Sequence, residues 1–167
     1  MKRKIYDSEG HAHFVTFSCY RKRKHLDHNR AKGIVVHYLS RILFLKKGHC
    51  LGYVVMPEHV HALVWFSASD ELSVFMQQWK RCSSFQLKKF FEKSEYFDKI
   101  YEGQPVWQAR YYDFNTFSEK KVHEKINYMH MNPVRRGLVE NPCDWKFSSA
   151  RWYGRKESVG VKIGLPV

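Results

Sequence analysis

His59 and His61 are the residues of this chain best placed to do chemistry, set two apart in the string YVVMPEHVHALVWF. The surrounding apolar and β-branched residues read as a strand, so side chains two apart point the same way, roughly 6.5 Å from each other. Two neutral imidazoles on a stiff strand make half of a site for a divalent cation. A plainer reading is two histidines capping a hydrophobic surface. A second segment, KINYMHMNPVRRGLV at residues 125–139, shifts the balance. It is helical in character. Tyr128 and Asn132 lie four residues apart, a rotation of about 400° and a rise of about 6 Å, so they share one helix face while His130 points away. Brought together, strand and helix supply a nucleophile and three neutral metal ligands.

The chemistry open to such a set is attack on a phosphate ester. A cation polarises a phosphodiester oxygen and stabilises the charge that develops there. A phenol ordinarily holds its proton to near pH 10, so a tyrosine nucleophile must lose that proton on attack. Glu124, one turn before Tyr128, is a candidate acceptor and equally a surface glutamate with a structural role. Two imidazoles and an amide suit manganese, cobalt or zinc, whereas magnesium prefers oxygen ligands and keeps waters. His11-Ala12-His13 repeats the same spacing at the start of the first strand, but no comparable apolar strand core follows it. It reads as structural.

The charge balance names a class of partner. Lysine and arginine number 29 against 16 acidic residues, a net charge of +13 with a pI near 9.7. Such a surface favours polyanions, most simply nucleic acid. Basic residues alternate with rings: Arg21, Lys22, Arg23 and Lys24 follow Tyr20, Arg110 precedes Tyr111 and Tyr112, Arg135 and Arg136 follow the helix, and Arg151 precedes Trp152 and Tyr153. Cations that neutralise phosphates, beside rings that stack on unpaired bases, suit single strands better than a closed duplex. Cys19, Cys50, Cys82 and Cys143 are scattered without zinc-site spacing and read as reduced thiols. The start, MKRKIYDSEG, lacks the apolar stretch of a secretory leader, and no apolar run reaches the ~18 residues of a membrane span. A cytoplasmic, nucleoid-associated protein without a membrane partner is expected.

The elements that must position these groups follow from periodicity. At 167 residues the chain suits one domain, 1–167, with a core at about 11–140 and a tail at about 141–167. Residues 13–20 read as a strand and Asp27 to about Lys46 as a helix. Residues 50–56 and 59–66 read as strands joined at Pro57-Glu58. Asp70 opens a second helix with a basic end at Lys88-Lys89. A charged loop runs to Gly103-Gln104-Pro105, and 106–112 read as the fourth strand. Thr116-Phe117-Ser118-Glu119 has a capping-box pattern that starts the helix of Tyr128, and Pro133 is expected to end it. The order β-α-β-β-α-β-α predicts an α+β ferredoxin-like sandwich, a four-stranded antiparallel sheet with an additional helix carrying the tyrosine. Val60, Ala62, Val64 and Phe66 form the face expected to lie under the two crossover helices. His59, His61, Leu63 and Trp65 are then left for the tyrosine helix to cover.

Several strings resemble the REP-associated tyrosine transposases, a branch of the single-tyrosine HUH transposases. They are HFVTFSCYRKRKHL, VVMPEHVHALV, VWQARYYD, NYMHMNPVRRGLV and ENPCDWKFSSARWY, and the resemblance covers nearly the whole chain. It implies that Tyr128 is the catalytic tyrosine, that His59 and His61 bind the metal, and that Asn132 stands at the third metal position, where more distant relatives carry glutamine. It implies a magnesium or manganese ion and a covalent 5′-phosphotyrosine intermediate. It also implies a monomer acting on single-stranded DNA at repetitive extragenic palindromes, which are imperfect hairpins. Arg21, Lys22, Arg23, Arg110, Arg135 and Arg136 are the candidate DNA contacts. Glu58 stands where asparagine is also common in the family, and the tail after Tyr153 is short. Two other readings stay open at this point: a non-catalytic nucleic-acid-binding module or repressor on the same frame, and a metal-dependent hydrolase that activates water.

Overall fold

Strand β1 (Ala12–Ser18) alternates, sending Val15 and Phe17 to one sheet face and Ala12 and Phe14 to the other. It lies inside a four-stranded antiparallel sheet of order β2-β3-β1-β4, with β2 at His49–Val55, β3 at His59–Trp65 and β4 at Tyr112–Thr116. This computed structural model describes residues 10–94 and 103–164. Helices α1 (Asn29–Leu45) and α2 (Glu71–Glu92) cover the Val15 face, where Val60, Ala62, Val64 and Phe66 join the larger core as expected. Helix α3 (Glu119–Arg135) covers the opposite face through Ile126 and Met129, which pack on Phe14, Val54 and Leu63. A short helix, α4 (Ala150–Arg155), follows. The order β1-α1-β2-β3-α2-β4-α3 is the ferredoxin-like α+β arrangement read from the sequence. The charged loop before Gly103 falls largely outside the described residues.

The fourth strand is displaced from its expected place. Residues 106–112 do not pair as a strand; β4 begins at Tyr112. Val106 and Trp107 are buried, joined to the end of β1 by a single antiparallel bridge between Cys19 and Trp107, in which the Tyr20 amide donates to the Val106 carbonyl and the Gln108 amide to the Ser18 carbonyl. The chain then leaves the sheet because Lys80 of α2 donates to the Gln108 and Ala109 carbonyls, at 2.7 and 2.9 Å. A side chain thus takes acceptors that a neighbouring strand would otherwise use. The apolar run was a core anchor, and the pairing strand lies just beyond it.

Helix α3 also differs at both ends. Its N-cap is Ser118, whose hydroxyl accepts from the Lys121 amide, while Thr116 is the last residue of β4 and donates to the Ala12 carbonyl. Pro133 does not end the helix, which runs on to Arg135. The stop comes at Gly137, in left-handed backbone at φ 68°. There the Gly137 amide donates to Val134 and the Leu138 amide to Pro133, a Schellman closure that glycine admits without a Cβ penalty. The two further residues let Arg135 fold back on its own helix.

The tail seals the β2 edge. Val159, Val161 and Ile163 are buried in the larger core, the Tyr53 hydroxyl donates to the Val159 carbonyl, and the Gly164 amide donates to the Cys50 carbonyl. Further along the same edge the Val55 amide donates to the Phe147 carbonyl and the Tyr53 amide to the Ser149 hydroxyl, so the tail takes up backbone groups that an edge strand would otherwise leave open.

His130 fastens α3 to this frame. It is buried, with Nε2 2.8 Å from the Ser149 hydroxyl, which in turn bonds the Tyr53 backbone. Burial pushes its imidazole from the ordinary 6.5 down to about 4. The unfolded chain therefore binds this proton at a pH where the folded one does not, so stability is full above pH ~6.5 and is lost as pH falls towards about 4. The loss expected from this group alone is on the order of 3 kcal/mol. Urea denaturation at pH 7.5 and pH 5.0 should show wild type losing more stability than His130→Asn. Equal losses would remove His130 as the source.

Candidate active site

Strand pairing sets the floor of the site. His61 stands opposite Thr16 of β1 and His59 opposite Ser18, so both imidazoles lie on the α3 side at one end of the sheet. Their Nε2 atoms face each other at 3.1 Å. The Nδ1 atoms are each held from behind. Thr16 Oγ1 is 2.6 Å from His61 Nδ1, and His59 Nδ1 donates to Glu58 Oε1 at 3.0 Å. Glu58 is an acceptor only: burial pushes its carboxyl up, but Arg136 and His59 outweigh that and hold it below the usual range. Its Oε1 also accepts from Arg136 at 2.5 Å. One carboxylate oxygen therefore fixes the His59 tautomer, leaving Nε2 as a lone pair, and ties it to the end of the tyrosine helix.

Both imidazoles are neutral at pH 7, the form that coordinates a metal. Burial lowers His61 to about 3, aided by His59, Lys125 and Arg135, and burial likewise lowers His59 against the pull of Glu58. Asn132 reaches the pair from α3, with its amide nitrogen 3.3 Å from His59 Nε2. A half-turn of that amide presents oxygen instead of nitrogen, and a threonine hydroxyl can accept as readily as donate. The donor set therefore fits a divalent cation without backbone change. Among the described residues no group of three or more His, Cys, Asp or Glu is placed to hold a metal ion.

Tyr128 lies on the same face of α3, one turn before Asn132. Its ring packs edge-on against His61, with centroids 5.5 Å apart, and against Phe14 at 6.1 Å. It is 46% exposed, so its hydroxyl is open to a large substrate. Two cations flank the ring. The Arg135 guanidinium lies 4.6 Å from its centroid and bonds the Tyr128 carbonyl, and the Lys125 ammonium lies 5.8 Å away, resting on Phe14 and Phe114. Glu124 faces elsewhere, paired with Lys121 at 2.6 Å. His13 bonds Asp113 and His11 bonds Asn115, in keeping with a structural reading of that pair.

The basic residues named from the sequence gather at this end. Arg21 and Lys22 take left-handed backbone, at φ 54° and 52°, in a turn just beyond Ser18, the partner of His59. Lys22 is near enough to bear on the His59 charge. Arg23 donates to Gln104, and exposed Arg110 precedes Tyr112, which stands opposite Thr16. Sequence reasoning missed the supporting roles of Thr16, Phe14 and Lys125, and noted Glu58 without assigning it a role. The adjacency of Glu58 to His59 was a usable signal; Thr16 and Phe14 needed the strand register.

Comparison with known proteins identifies the family and the fold. The family model for IS200-like transposases matches residues 7–132. The chain belongs to the IS200-like transposase family. As an IS200-like transposase it is an enzyme, and the resemblance read from its motifs holds. A Haemophilus influenzae protein named as a REP-associated tyrosine transposase is 24% identical over 129 residues, covering 72% of this chain and 73% of that one. The REP-associated tyrosine transposase of Escherichia coli K12 is 28% identical over 97 residues, covering 58% of this chain and about half of that protein, 51%. Among solved structures, a REP-associated tyrosine transposase bound to a REP hairpin superposes with a TM-score of 0.71 at 20% identity, over 98% of this chain and 92% of that one. A Deinococcus radiodurans protein named as a transposase gives 0.52 at 18% identity, over 77% and 95%. At those identities the structures speak for the fold. Among the described residues of this IS200-like transposase, no helix is long and apolar enough to cross a membrane.

Proposed function

We propose that this IS200-like transposase cuts and rejoins single-stranded DNA through a covalent bond between Tyr128 and a 5′ phosphate, at hairpins of repetitive extragenic palindromes. The observation that carries this reading is the meeting of four side chains: two facing imidazole nitrogens, the Asn132 amide 3.3 Å from one of them, and the Tyr128 ring packed on His61. His59, His61 and Asn132 would hold one divalent cation, magnesium or manganese, which when bound polarises a phosphate oxygen. Thr16 and Glu58 keep the imidazoles aimed. The Tyr128 oxygen forms a bond to phosphorus as its proton is lost, and the bond to the 3′ oxygen breaks, leaving a 3′ hydroxyl. The phosphotyrosine conserves the bond energy, so a later 3′ hydroxyl reverses the step and joins strands without a nucleotide cofactor.

Lys125 and Arg135 bring positive charge to the phosphate that approaches the phenol. Arg21, Lys22, Arg23, Arg110 and Arg136 contact the backbone or the unpaired flank of the hairpin. The protein acts as a monomer, in the cytoplasm, on nucleoid DNA. The relative solved with a REP hairpin supports that choice of substrate.

The test offers labelled single strands of the host genome's palindromic repeats, in competition with scrambled hairpins of equal length, and looks for a denaturation-resistant adduct. Preferential cleavage of the repeats with an adduct is expected. Equal cleavage of both would leave a nickase without repeat specificity. Binding without cleavage would indicate a repressor, and cleavage without an adduct a hydrolase using water.

A further inference from the structure

Helices α1 and α2 meet in an open crease on the sheet face opposite Tyr128. One cavity of about 620 Å³ lies between Arg41, Ile42 and Leu45 of α1 and Arg81, Cys82 and Phe85 of α2. A second, of about 370 Å³, continues it past the shared Tyr38 to Ile34 and Arg30. Neither lining contains an acidic residue. The whole of α1 has none, and α2 carries Glu71 and Glu92 only at its ends. An exposed helix pair ordinarily intersperses both signs of charge for i,i+4 support and solubility. This one offers Arg30, Arg41, Arg81 and Lys89 around an apolar floor, with Leu45 62% and Phe85 60% exposed. Arg41 and Arg81 form no ion pair among the described residues.

We propose that this crease is a docking groove for a short acidic peptide segment bearing aromatic side chains, supplied by a partner protein. Carboxylates would pair with Arg41 and Arg81, and rings would fill the space over Ile42 and beside Phe85. A second copy of this chain is a poor occupant, because two bodies of net charge +13 repel. A DNA strand engaged at Tyr128 would have to pass around the sheet to reach the groove, which lies on the opposite sheet face. A peptide there leaves the active-site end free, so a partner could hold the transposase without blocking it. The inference does not depend on the role proposed for Tyr128.

Fluorescence anisotropy with a labelled eight-residue peptide of alternating Asp and Phe tests it. Competitors are an alternating Asp and Ser peptide of equal charge and an eight-nucleotide oligothymidylate. The Asp-Phe peptide should bind at least about tenfold tighter than Asp-Ser, and Arg41→Glu with Arg81→Glu should weaken it by about tenfold or more. Lys120→Glu with Lys121→Glu, an equal charge change at the start of α3, should weaken it less than about threefold. Far-ultraviolet circular dichroism checks that each pair folds, and Arg81→Ala gives a milder second variant with the same direction of effect. Equal affinity for the two peptides, or equal loss in the two reversed pairs, would reduce the effect to the field of a basic protein and overturn the groove. Displacement by the oligothymidylate that is lost in the Arg41/Arg81 pair would make the crease a nucleic-acid surface instead.

Discussion

Tyr128→Phe should abolish the covalent adduct and slow strand cleavage by about 10⁴-fold or more, because it deletes the only atom that bonds to phosphorus. The variant should fold normally. The ring's neighbours are His61, Phe14, Arg135 and Lys125, all of which lie against its faces or edges, and no described residue hydrogen-bonds the hydroxyl. A stability change within about 0.5 kcal/mol is expected for so exposed a change. Hairpin affinity, set by phosphate and flank contacts, should stay within about threefold. Tyr111→Phe and Tyr112→Phe are the controls and should keep the adduct. Undiminished cleavage by Tyr128→Phe would end the tyrosine mechanism.

Loss of either histidine comes next in size. His59→Ala or His61→Ala should cut cation affinity and cleavage by roughly 10³-fold, and excess chelator should stop cleavage reversibly. Asn132→Ala should cost less, about 10- to 100-fold, since the space the amide leaves beside His59 can admit a water in its place. Glu58→Gln separates positioning from ligation. It keeps an oxygen to accept from His59 Nδ1 but loses the charge that binds Arg136, and should weaken manganese binding, read by calorimetry, by about 10-fold or more. Retention of full cleavage in chelator, or with both histidines replaced, contradicts the assignment. Manganese affinity unchanged in Glu58→Gln would reduce Glu58 to a fold contact.

Much of this architecture could be read from residue order, and the failures have specific causes. Alternation along HVHALVW sorted the β3 side chains between the two cores correctly, because one face is wholly apolar and the other carries both imidazoles. Helical spacing placed Tyr128 and Asn132 on one face for the same reason. Three readings went astray. Residues 106–112 carry strand-like composition, yet Lys80, a side chain 28 residues away, takes the Gln108 carbonyl. Pro133 sits in the last turn of α3, where a glycine four residues on determines the stop. Thr116 matches a cap pattern but spends its hydroxyl on Ala12, across the sheet. The helix stop follows from the local glycine, whereas the first and third depend on contacts that local propensity does not encode. The Glu58-Arg136 pair is of the same kind, joining positions 78 residues apart.

The measurement that bears most directly on Tyr128 as nucleophile is peptide mapping of the covalent complex. Wild-type protein is incubated with a palindromic hairpin and manganese, denatured, and digested with nuclease and trypsin, and the nucleotide-bearing peptide is sequenced by mass spectrometry. The modified peptide should be the one spanning residues 126–135, INYMHMNPVR, whose single tyrosine is Tyr128. A nucleotide on the 111–120 peptide, which carries Tyr111 and Tyr112, or cleaved DNA with no modified peptide, would contradict it.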